Sequence, residues 1–275
     1  MGYSGGLARG KLETALPGHV NPIPVNIAGV NSKAPDRRGS ALTAYESKSA
    51  IIQMYRVTKR YGAKSALVDI SLDIADNEFL FLSGPSGAGK TTLLKLLYLG
   101  ETASEGQIIV DGLNLSRISR RRVPFLRRKF GIIFQDYKLI PTKNVYDNVA
   151  LVVEAVGVER RSIKKMVNSL LRTVKMADRS RAFPPSLSGG EQQRVAVARA
   201  IAGNPKIIVA DEPTGSLDAD SARVILNLLK LYHRRGGTVI IATHDTELIR
   251  NTGGRVILLN DGYLEVSTVI PKQQL

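Results

Sequence analysis

The sequence predicts an α/β fold: a mostly parallel core sheet, an antiparallel β subdomain and a helical subdomain. Three observations point there. The continuously apolar run "EFLFLSG" leads into a glycine-rich loop and then an apolar-faced helix, "TTLLKLLYL". Two further runs, "KIIVADE" and "TVIIATHD", are short and rich in β-branched residues, as strands buried on both faces should be. Between them, "SARVILNLLKLYHRR" has the length and spacing of a crossover helix, with Gly236-Gly237 to stop it.

Taken in order, residues 1–50 differ from the rest. They are interrupted by Gly, Pro, Ser and Asn with no sustained period, so a disordered extension is expected, or a start codon assigned too far upstream. Order is expected from Ile51, giving one domain over 51–275. "IIQMYRVTKRYG" and "ALVDISLDIADNEFLFLSG" read as strands with turns at Tyr61-Gly62 and Asp76-Asn77, and "GQIIVDGLNL" as a hairpin turning at Asp111-Gly112. The stretch from Ser116 to Phe183 reads as mostly helical and basic, with a helical subdomain over about 136–190. Ile163, Met166, Val167, Leu170, Leu171 and Val174 mark one helix face.

Composition limits the function. The 275 residues are 43% hydrophobic, enough for a sizeable core, which must be aliphatic because aromatics make up only 5%. No apolar run is long enough to span a bilayer, and the first residues lack the apolar segment of a secretory signal. With no cysteine there are no disulfides or thiolate metal sites. The net charge of +15 calls for an anionic partner, nucleic acid or the negative face of a membrane.

Two stretches carry phosphate chemistry. "GPSGAGKTT" spans Gly84, Pro85, Ser86, Gly87, Ala88, Gly89, Lys90, Thr91 and Thr92 and fits G-x-x-x-x-G-K-[ST] between a strand and a helix. Its glycines let backbone N–H groups turn inward toward phosphates. Lys90 would reach the β- and γ-phosphates of ATP and Thr91 would hold Mg²⁺. Asp211 and Glu212 emerge from the end of "IIVADE", suiting the magnesium shell and a base for the attacking water. Further on, Ser188 and Glu191 of "LSGGEQQR" have capping-box spacing around Gly189 and Gly190, a second helix N-terminus fit for a phosphate.

With "GSLD" and "ATHD" added, the five motifs in this order resemble the nucleotide-binding domain of ABC ATPases from about Ile51 to Glu265. The resemblance implies a P-loop ATP hydrolase working as a head-to-tail dimer, a second copy of the chain supplying Ser188, Gly189 and Gly190 to each ATP. It also implies Tyr61 as the adenine-stacking aromatic, Gln135 as a contact to Mg²⁺ and the γ-phosphate, His244 as the switch histidine, and Asp218 in the loop between the two ATP sites. His233 is read as surface. Ser216 stands where the family often has Asn, with little consequence expected.

Within the family, "VPFLRRKFGIIFQDYKLIPTKNVYDNV" resembles the bacterial cell-division group, whose membrane partner is FtsX. That implies an FtsX-like integral membrane partner, mechanical signalling to cell-wall hydrolases, and a place on the cytoplasmic face of the bacterial inner membrane at the division site. ATPases of lipoprotein release and macrolide export share the shorter motifs and are the alternative. A nucleic-acid partner is disfavoured, since Lys90 to Leu187 is too short for the long coiled coil of DNA-repair relatives. The run from Arg117 to Lys129 holds seven Arg/Lys and no acid, which suits anionic lipid headgroups or a plain solvated face.

Overall fold

The computed structural model describes residues 49–270. The expectation for the first fifty residues falls almost wholly outside them. Two sheets organise the chain. β1 (Ala50–Tyr61), β2 (Lys64–Ala75), β4 (Glu105–Val110) and β5 (Leu113–Asn114) form an antiparallel four-stranded sheet in the order β2-β1-β4-β5. β3 (Phe79–Ser83), β6 (Phe130–Ile133), β7 (Ile207–Asp211), β8 (Thr238–Ala242), β9 (Gly254–Asn260) and β10 (Tyr263–Ile270) form a six-stranded sheet in the order β10-β9-β3-β8-β7-β6. All of its pairs are parallel except the hairpin of β9 with β10.

The predicted turn at Asp111-Gly112 is present. Both residues take positive φ, 46° and 75°, while Val110 pairs with Leu113 across the two-residue turn. The predicted crossover helix is α6 (Ala219–Arg234), which returns β7 to the parallel β8. Gly236 follows it at φ 94°, a left-handed stop that only glycine takes without strain.

The middle segment is mostly helical, as expected, with one correction: β6 lies inside it and closes the large sheet against β7. Gly131 lets the helical backbone at Ala200 lie directly against this strand, since a Cβ there would be 2.4 Å from the Ala200 carbonyl oxygen. The helices of this part are α2 (Val123–Arg127), α3 (Val145–Ala155), α4 (Arg160–Thr173) and α5 (Gly189–Ile201). Ile163, Val167 and Leu171 of the predicted face are buried, packing with Val149, Val153 and Val195 into an apolar cluster distinct from those flanking the sheet. Truncating such a residue to Ala costs about 2–5 kcal/mol. His233 is also corrected. It is half-buried, edge-on to Phe79 at 5.4 Å, with Nδ1 3.2 Å from the Gly237 carbonyl oxygen.

Candidate functional site

The parallel strands place the chemistry by their order alone. β3, β8, β7 and β6 are neighbours, and all point the same way. Their C-terminal ends therefore deliver, side by side, the glycine loop, His244, the Asp211-Glu212 pair and Gln135.

The glycine loop joins β3 to α1 (Lys90–Leu97). Its base is packed against backbone: a Cβ on Gly84 would lie 2.0 Å from the Leu259 carbonyl oxygen, and one on Gly89 2.6 Å from that of Ala66. Both glycines have positive φ, 141° and 107°. Pro85, Ser86 and Gly87 form an exposed rim, while Gly84, Ala88, Gly89 and Lys90 are buried and Thr92 is half-buried. The Lys90 ammonium donates to the carbonyls of Gly84 at 2.7 Å and Pro85 at 3.0 Å. An ammonium has three N–H donors, so one stays available to a ligand.

At the second residue of the helix, the Thr91 hydroxyl donates to Asp211 Oδ2 at 2.7 Å, tying the loop to the end of β7. Burial first, and the adjacent Glu212 carboxylate, hold the Asp211 carboxyl above its ordinary range against that donation. Glu212 itself has a left-handed φ of 45°, with its N–H fixed to the Ala242 carbonyl at 2.9 Å. Strain at a residue so held is characteristic of functional sites. Its carboxylate receives the Thr243 hydroxyl at 3.1 Å and the His244 backbone N–H at 3.2 Å, and it lies 2.7 Å from His244 Nδ1. The Glu212 side chain is 12% exposed and that of His244 is 69% exposed, so the base is sheltered and the histidine reaches outward.

Thr91 and Asp211 are hard oxygen donors of the kind Mg²⁺ takes, and the loop has the shape and charge for a triphosphate. Among the described residues no group of three or more His, Cys, Asp or Glu could hold a metal. With Thr91 and Asp211 as the donors from the chain, the remaining positions of an octahedral magnesium shell would fall to nucleotide oxygens and water. The residues fit MgATP.

Gln135 is exposed just past β6, and among the described residues its side chain has no hydrogen bond. Tyr61 ends β1 with its ring at the surface, the residue 45% exposed. Lys59 Nζ sits 4.7 Å from its centroid. Ser188 caps α5 as predicted, with both halves of the capping box formed: its hydroxyl accepts the Glu191 N–H at 3.3 Å, and Glu191 Oε2 accepts the Ser188 N–H at 2.8 Å. Ser188, Gly189 and Gly190 make no hydrogen bond to the glycine loop among the described residues. Asp218 caps α6, its carboxylate accepting the Ser221 N–H at 2.8 Å, and that donation holds its carboxyl below the usual range.

Four residues not singled out from the sequence take part. Thr243, almost wholly buried, orients Glu212. Gln193, also buried, donates to the Pro213 carbonyl at 2.8 Å and ties α5 to the segment after Glu212. Arg199 donates to the Tyr137 carbonyl at 2.7 Å and to that of Lys138 at 2.5 Å, holding two successive left-handed residues past Gln135. The Tyr137 hydroxyl in turn lies 3.3 Å from Ser216 Oγ and close over Gly189. The run "EQQR" signalled polar groups on a buried helix, but their partners are distant in sequence.

Residues 67–215 match the family described as ABC transporter. The chain is 44% identical over 214 residues to the cell division ATP-binding protein FtsE of Streptococcus pneumoniae serotype 2, covering 78% of this chain and 93% of that one. It is 44% identical over 216 residues to the FtsE of Bacillus subtilis, covering 78% and 94%. It is 43% identical over 215 residues to that of Escherichia coli K12, covering 78% and 97%. The fold matches the ATP-binding cassette MJ0796, solved as a dimer in a post-hydrolysis state bound to ADP and Pi. The TM-score is 0.75 at 34% identity, over 81% of this chain and 100% of that one. By motifs, fold and relatives alike, the chain belongs to the ABC transporter family, as one of its ATP-hydrolysing cassettes.

Proposed function

We propose that this cassette is the ATPase of a bacterial cell-division complex, working on the cytoplasmic face of the inner membrane with an FtsX-like integral membrane partner. Two copies would close head to tail on two MgATP, and the closing and opening would signal through the partner toward cell-wall hydrolases. The observation that carries the reading is the pairing of a complete phosphate centre with a second, capped helix terminus. Ser188, Gly189 and Gly190 make no hydrogen bond to that centre among the described residues, so the terminus suits another copy's nucleotide. The relatives named for cell division supply the biological setting. A contact of the basic face with anionic headgroups completes the partner set.

In this reading Tyr61 stacks on the adenine and Lys90 spans the β- and γ-phosphates. Thr91 and Asp211 would hold Mg²⁺ with Gln135 beside them. The bound ion supplies charge neutralisation on the phosphate oxygens. Glu212, oriented by Thr243 and His244, takes the proton of the attacking water. His244 reaches toward the γ-phosphate, a contact whose loss should cost about 10²–10³ in rate by analogy with oxyanion donors. Asp218 sits between the two sites.

The chemistry is tested by Glu212→Gln, which should abolish hydrolysis while ATP-bound dimers accumulate on size exclusion. Monomers in saturating ATP would refute the base assignment. The biological setting is tested by gentle solubilisation of tagged chain from its membranes. An FtsX-like protein should co-purify, whereas a lipoprotein-release or drug-export permease would overturn the division role and leave the ATP chemistry standing.

A further inference from the structure

The ATP site does not use the ridge between β5 and β6. Its underside is fixed to the domain. Leu115 and Leu126 are buried in the core beneath it, and the Arg127 guanidinium donates to the carbonyls of Leu99 at 2.8 Å and Tyr98 at 3.3 Å. Lys129 pairs with Asp111, which Lys206 also reaches at 2.9 Å. What the ridge leaves outward is one sign of charge and one aromatic ring. Arg117, Arg120, Arg121, Arg122 and Arg128 are exposed, and among the described residues none has a carboxylate partner. Phe125 is 62% exposed, with the Arg128 guanidinium 5.3 Å from its centroid.

We propose that this ridge is a docking surface for the anionic headgroups of a bilayer, with Phe125 entering the interface between headgroups and acyl chains. Guanidinium forks match phosphodiester oxygens and shed their hydration readily. Five of them without a counter-charge form a patch that an anionic leaflet attracts and a neutral one does not. A large ring exposed to water gains by burial at the headgroup boundary, where flanking arginines can remain solvated. A single-stranded nucleic acid would ask for several successive stacking rings, and the ridge offers one. No helix among the described residues is long and apolar enough to cross a membrane, so such a contact would lie along the surface.

The inference rests on the membrane setting proposed above, but its test needs no membrane partner. Full-length chain is floated with phosphatidylcholine vesicles, with or without phosphatidylglycerol. Binding should require the anionic lipid and weaken with salt. Each ridge charge is worth roughly fivefold in affinity, so Arg120→Glu, Arg121→Glu and Arg122→Glu combined should lower it at least about 100-fold. Phe125→Ser should weaken binding that persists at raised salt, and ATP turnover should stay unchanged in both variants. Equal binding to neutral vesicles, or wild-type flotation of the triple variant, would overturn the proposal. So would a DNA fragment that outcompetes the anionic vesicles, which would make the ridge a nucleic-acid surface. Co-purification of an FtsX-like protein alongside failed flotation would remove this proposal alone. Flotation without such a partner would remove the division reading alone.

Discussion

Two helices proposed to meet phosphate, α1 and α5, begin beside glycines and are built in opposite ways. α1 has no side-chain cap. Gly89 precedes it in a left-handed conformation, Lys90 is buried at its first position, and the fold packs backbone against the loop from Ala66 and Leu259. α5 is capped by its own side chains on both strokes, and its Ser188 is exposed. The first terminus leaves its donors open and borrows its shape from the surrounding domain. The second is self-supporting and needs no ligand to keep its form. A site filled within one chain can afford open donors; a surface offered to another molecule must hold its shape while it waits.

Removing the charge at the first terminus should produce the largest effect. Lys90→Ala deletes the one side chain that both holds the loop carbonyls and keeps a donor for phosphate. Charge-assisted hydrogen bonds of this kind are worth about 1.5–3 kcal/mol, so ATP affinity by calorimetry should fall about 10- to 100-fold. Wild-type affinity would mean that the loop closes on something other than phosphate.

The same substitution logic gives a smaller and different answer at α5. Ser188→Ala removes one half of the capping box and should cost about 1 kcal/mol of stability, lowering Tm by about 2–4 °C. Nucleotide affinity of the isolated chain should not change, because among the described residues this terminus does not bond the glycine loop. A loss of ATP affinity in monomers comparable to that of Lys90→Ala would erase the contrast between the two termini.

The contrast also explains what the sequence could tell. Local patterns were legible wherever local physics decides. The strand–loop–helix at Gly84 to Thr92, the S-x-x-E cap and the crossover helix are all specified by neighbours a few residues apart. β6 was hidden because four residues in a basic stretch form a strand only by pairing with β7, some seventy residues later. The Glu212–His244 contact and the grip of Arg199 on Tyr137 and Lys138 likewise join distant segments. His233 misled because a histidine near a helix end is usually solvated, and only the sheet shows Phe79 beneath it. For the site, residue types were readable and their partners were not.

The smallest effect tests the self-supporting terminus through its charge. The Ser188 N–H first, then Arg179, hold the Glu191 carboxyl below its usual range. A carboxylate depressed on folding contributes stability that is fully present above its unfolded value and fades as pH falls through the folded one. Glu191→Gln can still accept the Ser188 N–H but carries no charge for Arg179 or for the helix dipole. It should therefore lower Tm by less than about 3 °C near neutral pH. The gap to wild type should narrow as pH falls below the ordinary glutamate range and Glu191 protonates. A gap that stays constant across that window would assign the cap to hydrogen-bond geometry alone. α5 would then hold its shape without charge, and its dipole would be left entirely for the phosphate proposed to meet it.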